Sequence, residues 1–179
     1  EGLLFSYEGK RRKVRACFNH AIALADRCYS VSLYATISYI MGTAYERLGK
    51  TKKAIELYEN VLTHGMDMAH SKAADMFPII VRMMVLTEYQ RQYVHYILSN
   101  LPNIMSVPEN WWHISELLEL MRKNESDANF SVLDTQQVAN LVWCASQRVD
   151  TQAVTHQFCQ RLPKHLCREI INIIQHRNS

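Results

Sequence analysis

Glycine is scarce in this chain, and its distribution excludes several kinds of site. The sequence has five glycines in 179 residues, and none lies beyond Gly65. Phosphate-cradling loops and nucleophile elbows need glycine at fixed spacings, and the GxxxxGK[ST], GxGxxG and GxSxG patterns are all absent, as is the metalloprotease pattern HExxH. We therefore expect a protein that is not an enzyme and that has no cofactor.

Long apolar runs and paired cysteines are missing too. No apolar stretch approaches the roughly 18–20 residues of a membrane-spanning helix, and no leader is visible, so we expect no membrane partner. The five cysteines are odd in number and form no CxxC pair, which predicts free thiols in an intracellular protein, cytoplasmic or nuclear. Two Asn-x-Ser triplets, at Asn124 and Asn129, point the other way, but such triplets are common by chance.

A metal centre is not expected either. The best candidate ligands are His156, Cys159, His165 and Cys167. His165 and Cys167 are two residues apart, a spacing that points their side chains away from each other in a helix. Buried thiols and surface histidines explain this cluster better than a metal does.

The sequence is rich in helical periodicity. Apolar residues recur at spacings of three and four in nearly every segment, and no alternating pattern predicts a strand. The prediction is therefore an all-α fold. The predicted helices cover residues 2–8, 10–28, 32–48, 51–64, 68–86, 88–101, 109–123, 134–148, 151–161 and 164–176.

Two segments of the sequence match each other at an offset of 40 residues. The first is EGLLFSYEGKRRKVRACFNHAI at the start of the chain, and the second is MGTAYERLGKTKKAIELYENVL at residues 41–62. The matched pairs are Gly2/Gly42, Phe5/Tyr45, Gly9/Gly49, Lys10/Lys50, Lys13/Lys53 and Phe18/Tyr58. A fixed period of this kind is typical of stacked helical repeats. One further period brings Arg82 and Val85 in place of the glycine and the aromatic residue.

Residues 35–68 resemble the tetratricopeptide repeat, and residues 1–28 carry part of the same motif. The resemblance rests on the order Gly42, Tyr45, Gly49, Ala54 and Tyr58. In that family two antiparallel helices cross where each has a small residue, here Gly42 and Ala54. The resemblance implies hairpins stacked as a right-handed α-solenoid, with a divergent C-terminal helical cap.

This resemblance also implies an organisation along the chain. Two repeat-like hairpins are expected in 1–68, a degenerate helical repeat region in 69–123 and the helical cap in 134–179. The three parts are expected to form one continuous domain.

Proteins of this family bind peptides or partner helices in a concave groove lined by the first helix of each hairpin. The positions that match the groove are Leu3, Ser6, Tyr7, Thr36, Tyr39, Thr43, Glu46 and Arg47. Tyr39 and Glu46 are expected to contribute little to the helix crossing. The implied function is a protein–protein interaction scaffold, as part of a larger complex.

Charge defines a second candidate surface, which we call the basic edge. Its residues cluster at the two predicted hairpin turns and are Lys10, Arg11, Arg12, Lys13, Arg15, Lys50, Lys52 and Lys53. Stacking would align the turns, so an alternative function is binding RNA or another acidic partner along this edge. Solvated turns would explain the same charges. The apolar stripe of the last predicted helix leaves self-association through that helix open.

Overall fold

The structure is a computed structural model that describes residues 1–28, 31–65, 73–147 and 152–177. Every regular element in those residues is helical and none is a strand, which confirms the predicted all-α class. The chain divides into two compact units, Glu1–Thr87 and Glu88–Ser179. The division falls inside the region that the sequence assigned to a degenerate repeat.

The first unit contains helices α1 to α5 in its described part. They are α1 (Gly2–Tyr7), α2 (Arg11–Cys28), α3 (Val31–Arg47), α4 (Thr51–Gly65) and α5 (Ala73–Leu86). Helix α1 pairs with α2 and α3 pairs with α4, while α3 also contacts α1, α2 and α5. The first helices of successive hairpins therefore lie against each other, and α5 continues the series.

The two hairpins repeat each other in their turns. The Gly9 amide donates to the Ser6 carbonyl at 3.2 Å, and the Gly49 amide donates to the Glu46 carbonyl at 2.9 Å. Both glycines have a φ of +68°, which glycine adopts without the steric cost of a side chain. Gly9 and Gly49, which are 40 residues apart in the sequence, therefore have the same backbone conformation at equivalent turns.

The helices of each hairpin cross where a glycine meets an aromatic ring. A Cβ atom on Gly42 would lie 2.1 Å from the Tyr58 ring, and one on Gly2 would lie 2.9 Å from the Phe18 ring. The expected partner of Gly42 was Ala54, which is fully buried but is not the nearest group. The group that packs against Gly42 at the crossing is thus the Tyr58 ring rather than Ala54.

A small core joins the first hairpin to α3. Its buried members are Val14, Phe18 and Ala44, and the partly buried residues packed against them are Leu3, Phe5, Ile40, Met41 and Leu48. These side chains come from α1, α2 and α3 and the turn that follows α3. Burial of this shared apolar surface stabilises the packing of α1, α2 and α3.

Helix α5 is the most apolar element of the first unit. A proline inside a helix usually kinks or interrupts it, but α5 runs through Pro78 from Ala73 to Leu86. Pro78 removes one backbone donor, and the buried residues on both sides of it hold the helix in place. The predicted first residues of this helix, 68–72, lie outside the described part of the chain.

The second unit has shorter helices. They are α6 (Arg91–Ser99), α7 (Leu101–Met105), α8 (Trp111–Asn124), α9 (Asp127–Phe130), α10 (Thr135–Ser146), α11 (Gln152–Arg161) and α12 (Lys164–Arg177). A 3-10 turn, Pro108–Asn110, precedes α8. Helix α10 contacts α8, α11 and α12. Among the described helices of both units, none is long and apolar enough to cross a membrane.

Helix ends in the second unit follow local chemistry, with two departures from prediction. The Asp134 side chain accepts a hydrogen bond from the Gln137 amide at 3.0 Å and so caps the N-terminus of α10. The predicted helix 88–101 is wrong at its end, because α6 ends at Ser99 and the separate helix α7 begins at Leu101, with Pro102 in its first turn. The predicted loop 124–133 contains the single turn α9.

Candidate functional site

The two hairpin turns of the first unit lie side by side. The guanidinium carbon of Arg47 is 4.1 Å from the centre of the Tyr7 ring. Tyr7 is two residues before Gly9 and Arg47 is two residues before Gly49, so the contact joins equivalent positions of successive hairpins. Tyr7 stays 66% exposed. An aromatic–cation pair at the surface therefore connects the two turns.

Most of the charge of the basic edge faces solvent. Lys10 pairs with Glu8 at 2.7 Å, and the Lys13 ammonium lies 5.0 Å from the centre of the Phe5 ring. In the described part of the chain, no acidic group lies within ion-pair distance of the remaining six residues, Arg11, Arg12, Arg15, Lys50, Lys52 and Lys53. All of these except the half-buried Lys50 are exposed.

The residues of the expected groove differ in how far a partner could reach them. Tyr7, Thr36 and Arg47 are exposed, whereas Ser6 is only 4% exposed. The other four, Leu3, Tyr39, Thr43 and Glu46, are half-buried.

The hydroxyl groups of this set bond to their own helices. Ser6 donates to the Leu3 carbonyl at 2.6 Å, and Thr43 donates to the Ile40 carbonyl at 2.8 Å. Thr36 does the same to the carbonyl four residues before it, at 2.9 Å. The surface that a partner can reach is therefore formed mainly by the Tyr7 ring, the Arg47 guanidinium, Thr36 and the exposed part of Tyr39.

Glu46 has a structural role that corrects the sequence analysis. Its Oε1 accepts a hydrogen bond from the Tyr58 phenol at 2.9 Å and one from Arg82 Nε at 3.3 Å, while the Arg82 guanidinium also pairs with Oε2. The carboxylate joins α3, α4 and α5, and the Glu46 side chain is 15% exposed. The expectation that Glu46 contributes little to the crossing is wrong, because this one side chain ties three helices.

The phenol of Tyr58 is held in its protonated form by the same arrangement. Burial raises the pKa of Tyr58 above its ordinary value, and the neighbouring Glu46 carboxylate raises it further. The phenol therefore stays protonated at neutral pH and donates its hydrogen bond to Glu46.

The second unit has a related arrangement around a buried carboxylate. Glu125 is 2% exposed, and its Oε1 accepts a hydrogen bond from the Tyr89 phenol at 2.6 Å. The Arg91 guanidinium donates to the side chain and to the carbonyl of Asn129, at 3.0 and 2.9 Å. Arg161 donates to the Glu125 carbonyl at 3.2 Å. These bonds link the start of α6, the connection between α8 and α9, and the end of α11.

Among the described residues, the candidate metal ligands do not assemble into a set of three or four. No group of three or more His, Cys, Asp or Glu side chains there could hold a metal ion. Burial, with a smaller effect of the nearby Cys167 thiol, raises the pKa of Cys159 to about 11. The Cys159 thiol is therefore protonated at neutral pH.

An apolar cavity of about 450 Å³ lies between α1, α2 and α3. Its lining includes Gly2, Phe18, Ile37 and Ile40, with Cys17 and His20 at its polar side. Glu1 also contributes to this lining.

The chain matches no protein-family model, no curated protein and no solved structure.

Proposed function

We propose that the chain is a protein-interaction scaffold whose first unit is a tetratricopeptide-like stack. The observation that carries the proposal is the equivalence of the α1–α2 and α3–α4 hairpins. They share the turn conformation at Gly9 and Gly49, and they share the crossing of a glycine by an aromatic ring. The lateral contacts of α1 with α3 and of α3 with α5 extend the series. Stacked repeats present equivalent helices along one extended surface, which suits binding to an extended or helical segment.

The binding surface in this proposal is the exposed side of the first helices, α1 and α3. Thr36, Tyr39 and Arg47 lie on α3, and Tyr7 lies at the end of α1. An aromatic ring, a hydroxyl and a cation at partly exposed positions match the mixed chemistry of a protein interface. The right-handed sense of the stack and a capping role for the second unit belong to the same proposal.

Photo-crosslinking from single positions tests this surface. A photoreactive phenylalanine analogue replaces Thr36 on α3 in one variant and Glu59 on α4 in a matched control, both at exposed positions. We expect the position-36 variant to capture one specific protein from a lysate and the position-59 variant not to capture it. Capture from position 59 alone, or the same products from both positions, would contradict a working surface on the first helices.

Once the captured protein is purified, Tyr39→Ala tests the contribution of the ring. We expect a loss of about 1–3 kcal/mol of binding free energy, which is typical of an aromatic anchor. The control is Tyr45→Phe on the same helix, since Tyr45 is 9% exposed and cannot meet a partner. An affinity unchanged by Tyr39→Ala would exclude this ring from the interface.

A further inference from the structure

The turns of the two hairpins have more positive charge than the turns require. Residues 7–15 and 47–53 contain the eight residues of the basic edge and Arg47, and the one acidic residue among them is Glu8. The turns are made by Gly9 and Gly49 and by backbone hydrogen bonds. The charge of the basic edge is therefore not explained by the formation of the turns.

The placement of these charges also opposes the local electrostatics of the helices. Helix α2 begins with Arg11, Arg12 and Lys13, and neither α2 nor α4 has an acidic residue in its first turn. Lys52 lies in the first turn of α4, at the position equivalent to Arg12. The N-terminus of a helix already carries a partial positive charge, so cations there are unfavourable. Basic residues occupy this unfavourable position in the first turns of both α2 and α4. Such a departure from local rules is typical of a functional surface.

The geometry combines the two clusters into one surface. The contact between Tyr7 and Arg47 places the two turns next to each other, and packed helices are roughly 8–10 Å apart. The N-termini of α2 and α4 add their positive ends at the same turns. An anionic chain that follows this edge would meet cations from both hairpins in turn.

We propose that the basic edge binds an acidic peptide segment of a partner protein. A peptide in the polyproline II conformation has three residues per turn and rises about 3.1 Å per residue, so carboxylates three residues apart lie on one side of it, about 9 Å apart, and match the spacing between neighbouring hairpins. This proposal goes beyond the groove, since its principal contacts are on the turns and on the first turns of α2 and α4.

The aromatic residues at this edge favour a peptide over a nucleic acid. Single-stranded nucleic acids are held by bases that stack on free aromatic faces. Tyr7 is the one aromatic residue in residues 7–15 and 47–53, and Arg47 covers a face of its ring. The Phe5 ring is half-buried, with Lys10 and Lys13 over it. The edge thus offers eight cations for carboxylates but a single exposed ring, covered on one face by Arg47, for stacking with bases.

Fluorescence anisotropy with defined probes tests the proposal on the full chain. The probes are a labelled peptide of four Glu-Glu-Gly repeats, its Gln-Gln-Gly counterpart and a 12-nucleotide oligouridine. We expect the acidic peptide to bind, the neutral peptide not to bind and the oligouridine to bind more weakly than the acidic peptide. Binding of the acidic peptide should weaken with added salt. Tighter binding of oligouridine, or no binding of the acidic peptide, would overturn the proposal.

Charge reversals locate the binding. Arg12→Glu with Lys52→Glu should weaken acidic-peptide binding at least tenfold. The matched control is Lys164→Glu with Arg168→Glu, which makes the same change in net charge at exposed positions of α12 and should change binding less than twofold. An equal loss in both variants would show attraction by net charge alone and would overturn the proposal. Circular dichroism checks that both variants are folded.

A separate variant distinguishes this surface from the groove. Tyr39→Ala should leave acidic-peptide binding unchanged, because Tyr39 is not at the turns. If the peptide binds at the edge while crosslinking from position 36 captures no protein, the groove proposal fails and the edge proposal stands. A loss of peptide binding in Tyr39→Ala that equals the loss in the charge-reversal variant would place the peptide in the groove and contradict the edge.

Discussion

The two hairpins of the first unit have the same turns and the same kind of crossing, but they differ in polar contacts. In α1–α2 the Phe18 ring packs over Gly2, and the Ser6 hydroxyl bonds to its own helix. In α3–α4 the Tyr58 ring packs over Gly42, and its phenol bonds to Glu46, which occupies the position equivalent to Ser6. The Tyr58 phenol and the Glu46 carboxylate therefore give the second hairpin a polar contact that the first hairpin lacks.

The difference shows how a repeat acquires specific neighbours. The Glu46 carboxylate accepts from Tyr58 of its own hairpin and pairs with Arg82 of α5. Arg82 occupies the position at which a third repeat would have its glycine. The glycine–ring crossing is thus used twice, and at the third position an arginine replaces it and fixes α5 against α3 by charge.

The largest expected effect comes from the unequal space at the two glycines. A Cβ atom would be 2.1 Å from the ring at Gly42 and 2.9 Å at Gly2. We expect Gly42→Ala to lower the free energy of unfolding by about 3 kcal/mol or more, and Gly2→Ala by about 1 kcal/mol, despite the higher helix propensity of alanine. Urea unfolding followed by circular dichroism measures both. Equal losses, or a Gly42→Ala variant as stable as the parent, would contradict the close crossing.

The two equivalent hairpin turns could be predicted from the sequence because they depend on residues close together in the chain. Gly49 forms a turn with the residues just before it, and the match of Gly9 with Gly49 is visible without a structure. The cap at Asp134 is predictable for the same reason, since it involves a residue three positions away.

The hydrogen bonds and the ion pair that Glu46 makes with Tyr58 and Arg82 could not be predicted in this way. Glu46 and Arg82 are 36 residues apart, and the sequence showed Arg82 merely as a missing glycine. The role of Glu46 depends on the packing of α5, which no local pattern reports. One difference in the sequence could have indicated the hydrogen bond of Tyr58: position 18 is phenylalanine, whereas position 58 is tyrosine. The hydroxyl of a buried tyrosine needs a hydrogen-bond partner.

The next variant removes the hydrogen bond between Tyr58 and Glu46, so that the second hairpin has a phenylalanine ring at its crossing like the first. Tyr58→Phe deletes the phenol that donates to the Glu46 carboxylate, and we expect a loss of about 2 kcal/mol in the free energy of unfolding, as for other hydrogen bonds to charged groups. Tyr45→Phe on the same hairpin is the control and should cost less than about 0.5 kcal/mol. If the two substitutions have the same effect, the Tyr58 phenol does not stabilise the stack.

A smaller effect tests the equivalence of the turns. Gly9 and Gly49 both have a φ of +68°, and a Cβ atom at either would meet nothing within 4 Å. Alanine at either position therefore adds backbone strain without a clash, and we expect each variant to lose about 1 kcal/mol. The two losses should agree within about 0.5 kcal/mol in urea titrations. A clear inequality would show that one turn is held by contacts that the other lacks.

The smallest expected effect is a gain in stability from charge reversal at the basic edge. Arg12 and Lys52 are equivalent residues in the first turns of α2 and α4, where an acidic side chain suits the helix dipole and a basic one does not. Arg12→Glu and Lys52→Glu should each raise the free energy of unfolding by about 0.3–1 kcal/mol at low salt, and less at high salt. Thermal melts at both salt concentrations measure the gain, with Arg12→Gln expected to give a smaller one.

A loss of stability in both reversals would mean that these cations support the fold, and the argument that they are retained for binding would fail. A gain in stability together with weaker binding of the acidic peptide would mean that these cations destabilise the fold and contribute to binding. The two hairpins would then keep, at the same place in each repeat, charges that cost the fold free energy and that an acidic partner neutralises.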